Sequence, residues 1–206
     1  CPSDPNDQPS TKTPPTYPTT YAAAWGDWFV FNWNTAQFGN GALPGVAWPG
    51  QRGAKLLDIT DGTSTTVGFA EVKAHGPLLA HPTNLPLSTP VPTSPADVVA
   101  LGGTFTASGA HVSWAEGLAQ YTAMTFVFPP NTEVPYVNPA DGKTYDADWI
   151  AGTTINHNAI TSRSYHAGGV NALLMDGSVR FVTNAIPQAT WRALGTRNGG
   201  EPVGDF

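Results

Sequence analysis

The sequence predicts an α+β domain made mostly of antiparallel β-sheet, with long Gly- and Pro-rich loops and two or three short helices. The 206 residues include 22 Gly and 20 Pro, about a fifth of the chain against roughly 12% in average proteins. Only 12% of the residues are charged, about half the usual share. The 40% of hydrophobic residues excludes wholesale disorder. This balance is typical of secreted β-rich proteins.

The first half of the chain begins with a polar, proline-rich segment. Residues 1–24 carry six prolines among Ser, Thr and Asp, which predicts an extended arm with little apolar surface to bury. Residues 25–206 are predicted to form a single globular domain, because they contain no internal repeat and no convincing boundary. Strands are expected over residues 56–60 and 65–72, separated by a turn at Asp61-Gly62.

The middle of the chain contains a clear helix start. Ser94 is placed to cap a helix, Pro95 suits its first position, and Asp97 follows three residues after the cap. The helix is expected to end after Leu101, where two glycines follow. Two further strands are predicted next, over residues 111–114 and 121–128.

Residues 170–183 predict a β-hairpin. Asp176-Gly177 suits a two-residue type I′ turn, which sets Leu174 opposite Val179 and places a nearly all-apolar face on the core. The mixed second face is the candidate interface, and it contains Leu173, Met175 and Val182. A short helix is predicted over residues 187–194, since proline favours the first helical position.

The residues around this hairpin resemble a known family. Tyr165-His166-Ala167-Gly168-Gly169 is followed by Asp176-Gly177-Ser178-Val179-Arg180-Phe181, with nine residues between His166 and Asp176, and then by Trp191-Arg192-Ala193-Leu194-Gly195-Thr196. This pattern resembles the prepilin-type family marked by a His, nine residues and an Asp-Gly. Cys1-Pro2-Ser3-Asp4-Pro5, residues 59–64 and Glu71 match further landmarks in the family's order.

The resemblance implies an extracytoplasmic bacterial protein with a pilin- or pseudopilin-like globular domain. Its members have no known function and are filed in part under a solute-binding-protein heading. They usually carry a prepilin leader and a long apolar helix before the Cys-Pro-Ser-Asp-Pro landmark, so membrane contact is expected only through such a missing helix. The second face of the hairpin is then either an interface or the surface on which this helix packs. A lipoprotein lipidated at Cys1 is the alternative.

The His166 and Asp176 pair is expected to be structural. One strand separates the two residues, and at about 3.3 Å per residue it holds them roughly 30 Å apart, too far for acid–base cooperation. The motif residues with structural roles are His166, Gly168, Gly169, Asp176 and Gly177. The five histidines lack zinc-binding spacing, and no phosphate-cradling or dinucleotide motif occurs. No catalytic residue is therefore predicted, and the chain is expected not to be an enzyme.

Two small groups of residues are candidates for ligand binding. Asp58, Asp61 and Glu71 form an oxygen-rich set that suits Ca²⁺, although Asp61-Gly62 is also an ordinary turn. Trp28 and Trp48 flank glycine-rich turns and are the tryptophans expected to be exposed for stacking on a ligand. The other tryptophans are expected in the core.

These observations together predict a structural role. We expect a non-catalytic subunit of an extracellular or cell-surface pilus- or pseudopilus-like filament, which packs against copies of itself or against a secretion partner. The alternative is an extracellular glycan- or solute-binding module. The net charge of −6 excludes sequence-independent nucleic-acid binding, which needs a basic surface.

Overall fold

The structure is a computed structural model that describes residues 1–45, 53–204 and 206. Strands dominate it, which confirms the predicted α+β class with its antiparallel sheets. The strands in the described residues are β1 (Tyr21–Gly26), β2 (Phe29–Asn32), β3 (Gln37–Phe38), β4 (Val67–Glu71), β5 (Gly76–His81), β6 (Thr104–Ala110), β7 (Ala123–Thr125), β8 (Pro135–Val137), β9 (Thr144–Asp146), β10 (Asp148–Ala151), β11 (Ile155–Ala159), β12 (Gly169–Leu174) and β13 (Val179–Thr183).

Three short helices accompany the strands in the described residues: α1 (Pro95–Ala100), α2 (Ala119–Thr122) and α3 (Gln188–Leu194). The start of α1 is as predicted, because Ser94 accepts a hydrogen bond from the Asp97 amide while the Asp97 carboxylate accepts one from the Ser94 amide. α3 begins one residue after Pro187, which serves as its N-cap. None of the helices in the described residues combines the length and apolar character that crossing a bilayer needs.

A five-stranded sheet has the order β13-β12-β4-β1-β7. Its strands run antiparallel to their neighbours except β1 and β7, which are parallel. Its inner face packs on α3 in a core that contains Val170, Val182, Phe126 and Trp191. Phe126 and Trp191 contact each other with ring centroids 4.6 Å apart.

A six-stranded sheet has the order β3-β2-β11-β10-β5-β6, and β8 and β9 form a separate ribbon. β5 and β10 pair in parallel, and the other neighbours pair antiparallel. A second core lies beside this sheet around Trp28 and Trp149, with Val98 of α1 packed into it.

The structure corrects four sequence-based assignments. β1 begins at Tyr21, so the strand takes the last four residues of the predicted arm, and Asp4 and Ser10 of the arm are buried. The strand expected over residues 56–60 is a 3₁₀ turn, Leu56–Asp58. Residues 111–114 lie outside the strands, and the second predicted strand region contains the end of α2 and β7.

The C-terminal hairpin forms, but its register differs by one residue from the predicted one. Leu173 opposes Val179, and Val170 opposes Val182. The Gly177 amide donates to the Leu174 carbonyl at 3.0 Å, and Gly177 has φ +88° while Asp176 is not left-handed. This is the three-residue loop with a bulge at glycine, and a type I′ turn is excluded because it needs positive φ at both central residues.

Candidate functional site

Three residues from distant parts of the chain meet beside the five-stranded sheet. Glu71 ends β4, His166 lies between β11 and β12, and Cys1 begins the N-terminal segment. His166 Nε2 is 3.1 Å from Glu71 Oε1 and 3.5 Å from Cys1 Sγ. The thiol, carboxylate and imidazole atoms all lie within 4.8 Å of one another. We call these three residues the Cys1 cluster.

The Glu71 carboxylate is held in one orientation by its neighbours. Its Oε2 accepts hydrogen bonds from the Asn171 amide at 2.8 Å and from Asn171 Nδ2 at 3.2 Å. The Glu71 carbonyl accepts from Ser162 Oγ and from the Arg163 amide. Glu71 is 1% exposed, so its Oε1 atom is left facing His166 and Cys1 in a site of low water access.

The other two members of the cluster are held by their own segments. The His166 amide donates to Ser164 Oγ at 3.1 Å, and the His166 side chain is about one-third exposed. Asp4 fixes the segment that carries Cys1, because its Oδ2 accepts from the Ala74 amide at 2.9 Å and its own amide donates to the Cys1 carbonyl. The cluster is therefore partly open to solvent on its histidine side.

The geometry of the Cys1 cluster decides which chemistry it suits. A catalytic relay of nucleophile, base and orienting acid uses the two different nitrogens of the imidazole. Here the thiol and the carboxylate both contact Nε2, so the ring does not bridge them. Three donor atoms that face a common point suit the coordination of a cation.

A buried ionic network lies next to the cluster. Arg163 donates to both Asp146 oxygens at 2.8 Å and to Asp148. Burial opposes the guanidinium charge, but Asp148 and Asp146 together raise the pKa of Arg163 above its usual value. Burial likewise opposes ionisation of Asp146, yet Arg163 lowers the pKa of that carboxyl overall. The network ties residues 161–163 to β9 and β10 and so supports the Glu71 backbone.

The outer face of the five-stranded sheet exposes apolar side chains. Tyr21, Phe69, Leu173 and Val179 line an open concavity together with Asn171, and Phe181 opposes Asn171 at its margin. Val179 is 64% exposed and Phe181 47% exposed. Leu173 lies opposite both Val179 and Phe69, so the apolar surface is continuous across three strands. We call these six residues the open face.

The predicted interface residues are divided by the one-residue change in register. Leu173 lies on the open face. Val182 is 1% exposed in the core, so its prediction as an interface residue is wrong. Met175 is partly buried, with its sulfur packed so closely on Gly68 that a Cβ there would come within 2.8 Å. The predicted register placed Val179 and Phe181 on the core face, but both side chains are exposed in the structure.

The remaining motif residues shape the ends of β12. Asp176 accepts hydrogen bonds from the Ser178 amide and hydroxyl, and these bonds lower the pKa of its carboxyl. A Cβ at Gly169 would lie 2.2 Å from the Val182 carbonyl oxygen, so the hairpin has no room for a side chain there. Gly168, just before the strand, has φ +85°. Asp176 and His166 lie beyond opposite ends of β12, each with its own partners.

The predicted calcium triad is wrong as a cluster. In the described residues, the group of potential metal ligands that contains Glu71 includes neither Asp58 nor Asp61. Asp58 accepts from the Lys55 amide, and Asp61 accepts from the amides of Gly199 and Gly200. The two aspartates therefore brace loops, because they lie before one end of β4 and Glu71 lies at the other.

The predicted stacking tryptophans do not form a surface site. Trp28 is 2% exposed, its ring stacks on Trp149 with centroids 5.5 Å apart, and its Nε1 donates to the Thr89 carbonyl. The prediction that Trp28 is exposed is wrong, because its indole ring packs inside the second core. Trp48 lies outside the described residues.

Sequence reasoning missed Cys1 and Asn171 as site residues. Cys1, Glu71 and His166 were each visible as landmarks of the family pattern, in that order along the chain. Their spacing gives no sign of contact, because 165 positions separate Cys1 from His166. The pairing of β4 with β12 brings Glu71 and His166 together, and Asp4 anchors the segment that carries Cys1 beside them.

Comparison with known proteins identifies a family. A family model described as "Protein of unknown function (DUF1559)" matches residues 1–189. Neither a curated protein nor a solved structure matches the chain. The short label of the family model carries a solute-binding-protein name. Since the match covers most of the 206 residues, the chain belongs to the DUF1559 family of proteins of unknown function.

Proposed function

We propose that this protein is a structural, non-catalytic subunit of an extracytoplasmic pilus- or pseudopilus-like assembly. The open face is the contact surface in this proposal, and the occupant is a second copy of the chain. The observation that carries the proposal is the continuous exposed apolar surface over β13, β12 and β4. Exposed apolar patches of this kind mark interaction sites more often than bare solvent-facing surface.

Charge favours a copy of the same chain over a charged partner. The open face contains no Asp, Glu, Lys or Arg, and the neighbouring Glu71 is sealed from solvent. Two copies related by a two-fold axis bring the same patch together, and this patch does so without like-charge repulsion. Two sheets packed face to face at about 10 Å can interdigitate such side chains.

The size of the patch predicts a weak pairwise contact. Fully burying a large apolar side chain contributes about 1.5–3 kcal/mol, and the side chains of the open face are already partly covered. About 1 kcal/mol from each gives roughly 5 kcal/mol per copy and about 10 kcal/mol for a pair, which lies within the range of the cost of association, about 4–15 kcal/mol. A two-fold contact closes after two copies, so a larger assembly would need a second contact surface, whose repeated contacts would add the stability that a single pair lacks.

Two matched leucine substitutions test this proposal. Leu173→Glu places a charge in the open face, whereas Leu57→Glu places the same charge on a leucine that is 89% exposed and away from the sheet. We expect wild type and Leu57→Glu to associate with increasing concentration in sedimentation experiments, and Leu173→Glu to stay monomeric. A monomeric wild type at every concentration, or equal association of both variants, contradicts the proposal.

The second candidate function is a glycan- or solute-binding module. The family label supports it, and so does an apolar cleft lined by Trp25, Phe31 and Trp33. Flat aromatic rings of this kind stack on sugars and other planar or apolar ligands. Saturable binding in a calorimetric glycan screen that Trp33→Ala abolishes would favour this function, provided that Leu173→Glu leaves it unchanged.

A further inference from the structure

We propose that Cys1, Glu71 and His166 form a transition-metal site that takes Zn²⁺ or Co²⁺. The site shares Asn171 with the open face but does not rest on the proposed assembly role. The argument begins from distances. Tetrahedral zinc with Zn–S of about 2.3 Å and Zn–N of about 2.0–2.1 Å separates the two ligand atoms by about 3.5 Å. Cys1 Sγ and His166 Nε2 are 3.5 Å apart.

The carboxylate lies at a matching distance. Nitrogen and oxygen ligands of one tetrahedral zinc lie about 3.3 Å apart, and His166 Nε2 is 3.1 Å from Glu71 Oε1. Two of the three donor–donor distances thus match those of tetrahedral zinc, and the third pair, the thiol and the carboxylate, lies within 4.8 Å. The fourth corner is left for water or another ligand.

The donor types select the metal class. A thiolate and an imidazole suit zinc and related borderline metals, whereas Ca²⁺ takes six to eight oxygen ligands. With Cys1 as thiolate and Glu71 as carboxylate, the two negative charges balance a divalent ion. The ion would also neutralise a carboxylate that is 1% exposed and whose Oε1 contacts a partly exposed imidazole.

Hydrogen bonds from neighbouring residues hold the Glu71 side chain and the backbone of Glu71 and His166 in place, as they do in known metal sites. Asn171 donates twice to Glu71 Oε2, which leaves Oε1 directed at the cluster. Ser162 and the Arg163 amide hold the Glu71 carbonyl, and Ser164 holds the His166 amide. Outer hydrogen bonds of this kind typically change metal affinity by about 10–100-fold when removed.

Cobalt titration of the full chain tests the site. Cys1 is the single cysteine, so a sulfur-to-cobalt charge-transfer band reports this residue alone. The protein should carry extra residues before Cys1, since a free amine beside the thiol is a chelator by itself. We expect one Co²⁺ per chain, a tetrahedral spectrum, and displacement by Zn²⁺.

Variants separate the site from incidental thiol binding. Cys1→Ser should abolish the band. Glu71→Gln and His166→Gln should each weaken binding by more than the loss of about 10–100-fold that is expected for the outer-shell change Asn171→Ala. His81→Ala, at a partly exposed histidine outside the cluster, is the control and should bind like wild type. X-ray absorption of the zinc-loaded wild type should show one sulfur and three nitrogen or oxygen ligands, a result that no variant's folding affects.

Two outcomes overturn the proposal. One is the absence of stoichiometric binding to the folded wild type. The other is a band that survives Glu71→Gln and His166→Gln in variants whose circular dichroism matches wild type. In either case the Cys1 cluster is a metal-free hydrogen-bonded contact between β4 and the segment before β12.

Discussion

Exchanging two neighbouring β-branched side chains at the end of β13 tests the register of the C-terminal hairpin. Val182 is 1% exposed and opposite Val170, whereas Thr183 is exposed. Val182→Thr keeps the shape of the side chain but replaces a buried methyl with a hydroxyl. Losing the methyl costs about 0.8 kcal/mol, and burying an unpaired hydroxyl costs about 1–3 kcal/mol. We therefore expect a loss of about 2–4 kcal/mol in the free energy of unfolding.

The reciprocal change, Thr183→Val, is the matched control. It adds a methyl at an exposed position, so stability should change by less than about 0.5 kcal/mol. Urea unfolding followed by circular dichroism measures both variants. In a chain of this length a loss of 1 kcal/mol lowers Tm by about 2–4 °C, so Val182→Thr should melt about 4–16 °C below wild type.

The alternative register gives the opposite result. If Phe181 opposed Ala172, Thr183 would oppose Val170 on the core face and Val182 would lie outside. Thr183→Val would then stabilise the protein and Val182→Thr would be neutral. That pattern would refute the register described above. A difference in β-strand propensity does not affect the comparison, because valine and threonine are both β-branched.

Two further predictions concern buried charge and pH. Arg163→Met removes the guanidinium from Asp148, which is buried, and should cost about 3–5 kcal/mol in urea unfolding at neutral pH; a loss below about 1 kcal/mol would show that the network contributes little. Burial lowers the pKa of His157 to about 4. Between about pH 6.5 and pH 4, His157 is therefore protonated in the unfolded chain but neutral in the folded protein. The folded protein is therefore not destabilised by this histidine above about pH 6.5, and it loses stability as the pH falls from about 6.5 to 4. His157→Leu should flatten the fall, measured as urea midpoints from pH 7 to 4, and an unchanged slope would assign it to other groups.

Local sequence signals predicted the parts of the fold that local interactions determine. The start of α1 follows from Ser94, Pro95 and Asp97. Ser94 and Asp97 provide hydrogen-bond partners for backbone amides at the start of the helix, all within one turn. The hairpin was predictable from Asp176-Gly177, but its register was not. The same dipeptide serves a two-residue turn and a three-residue loop with a glycine bulge, and the pairing of β12 with β4 adds a tertiary constraint that the two strands of the hairpin do not contain.

The candidate site depends on still longer connections. Glu71 is recognisable as an isolated acidic landmark, and its sequence neighbours Asp58 and Asp61 suggested an oxygen cluster. Its actual partners come from residue 1 and from residues 166–171, because β12 lies beside β4. Trp28 was misassigned for a related reason, since the ring that covers it belongs to β10.

The strand order of the five-stranded sheet has a consequence for synthesis of the protein. β12 inserts between β4 and β13, and Glu71 and Asn171, which meet there, are 100 positions apart. During translation β1 and β4 emerge long before β12, which pairs with β4, and pairings between strands so distant in sequence form slowly. We expect the nascent chain to keep β4 as an open sheet edge until the C-terminal hairpin has left the ribosome, so that closure of the sheet is a late, all-or-none step.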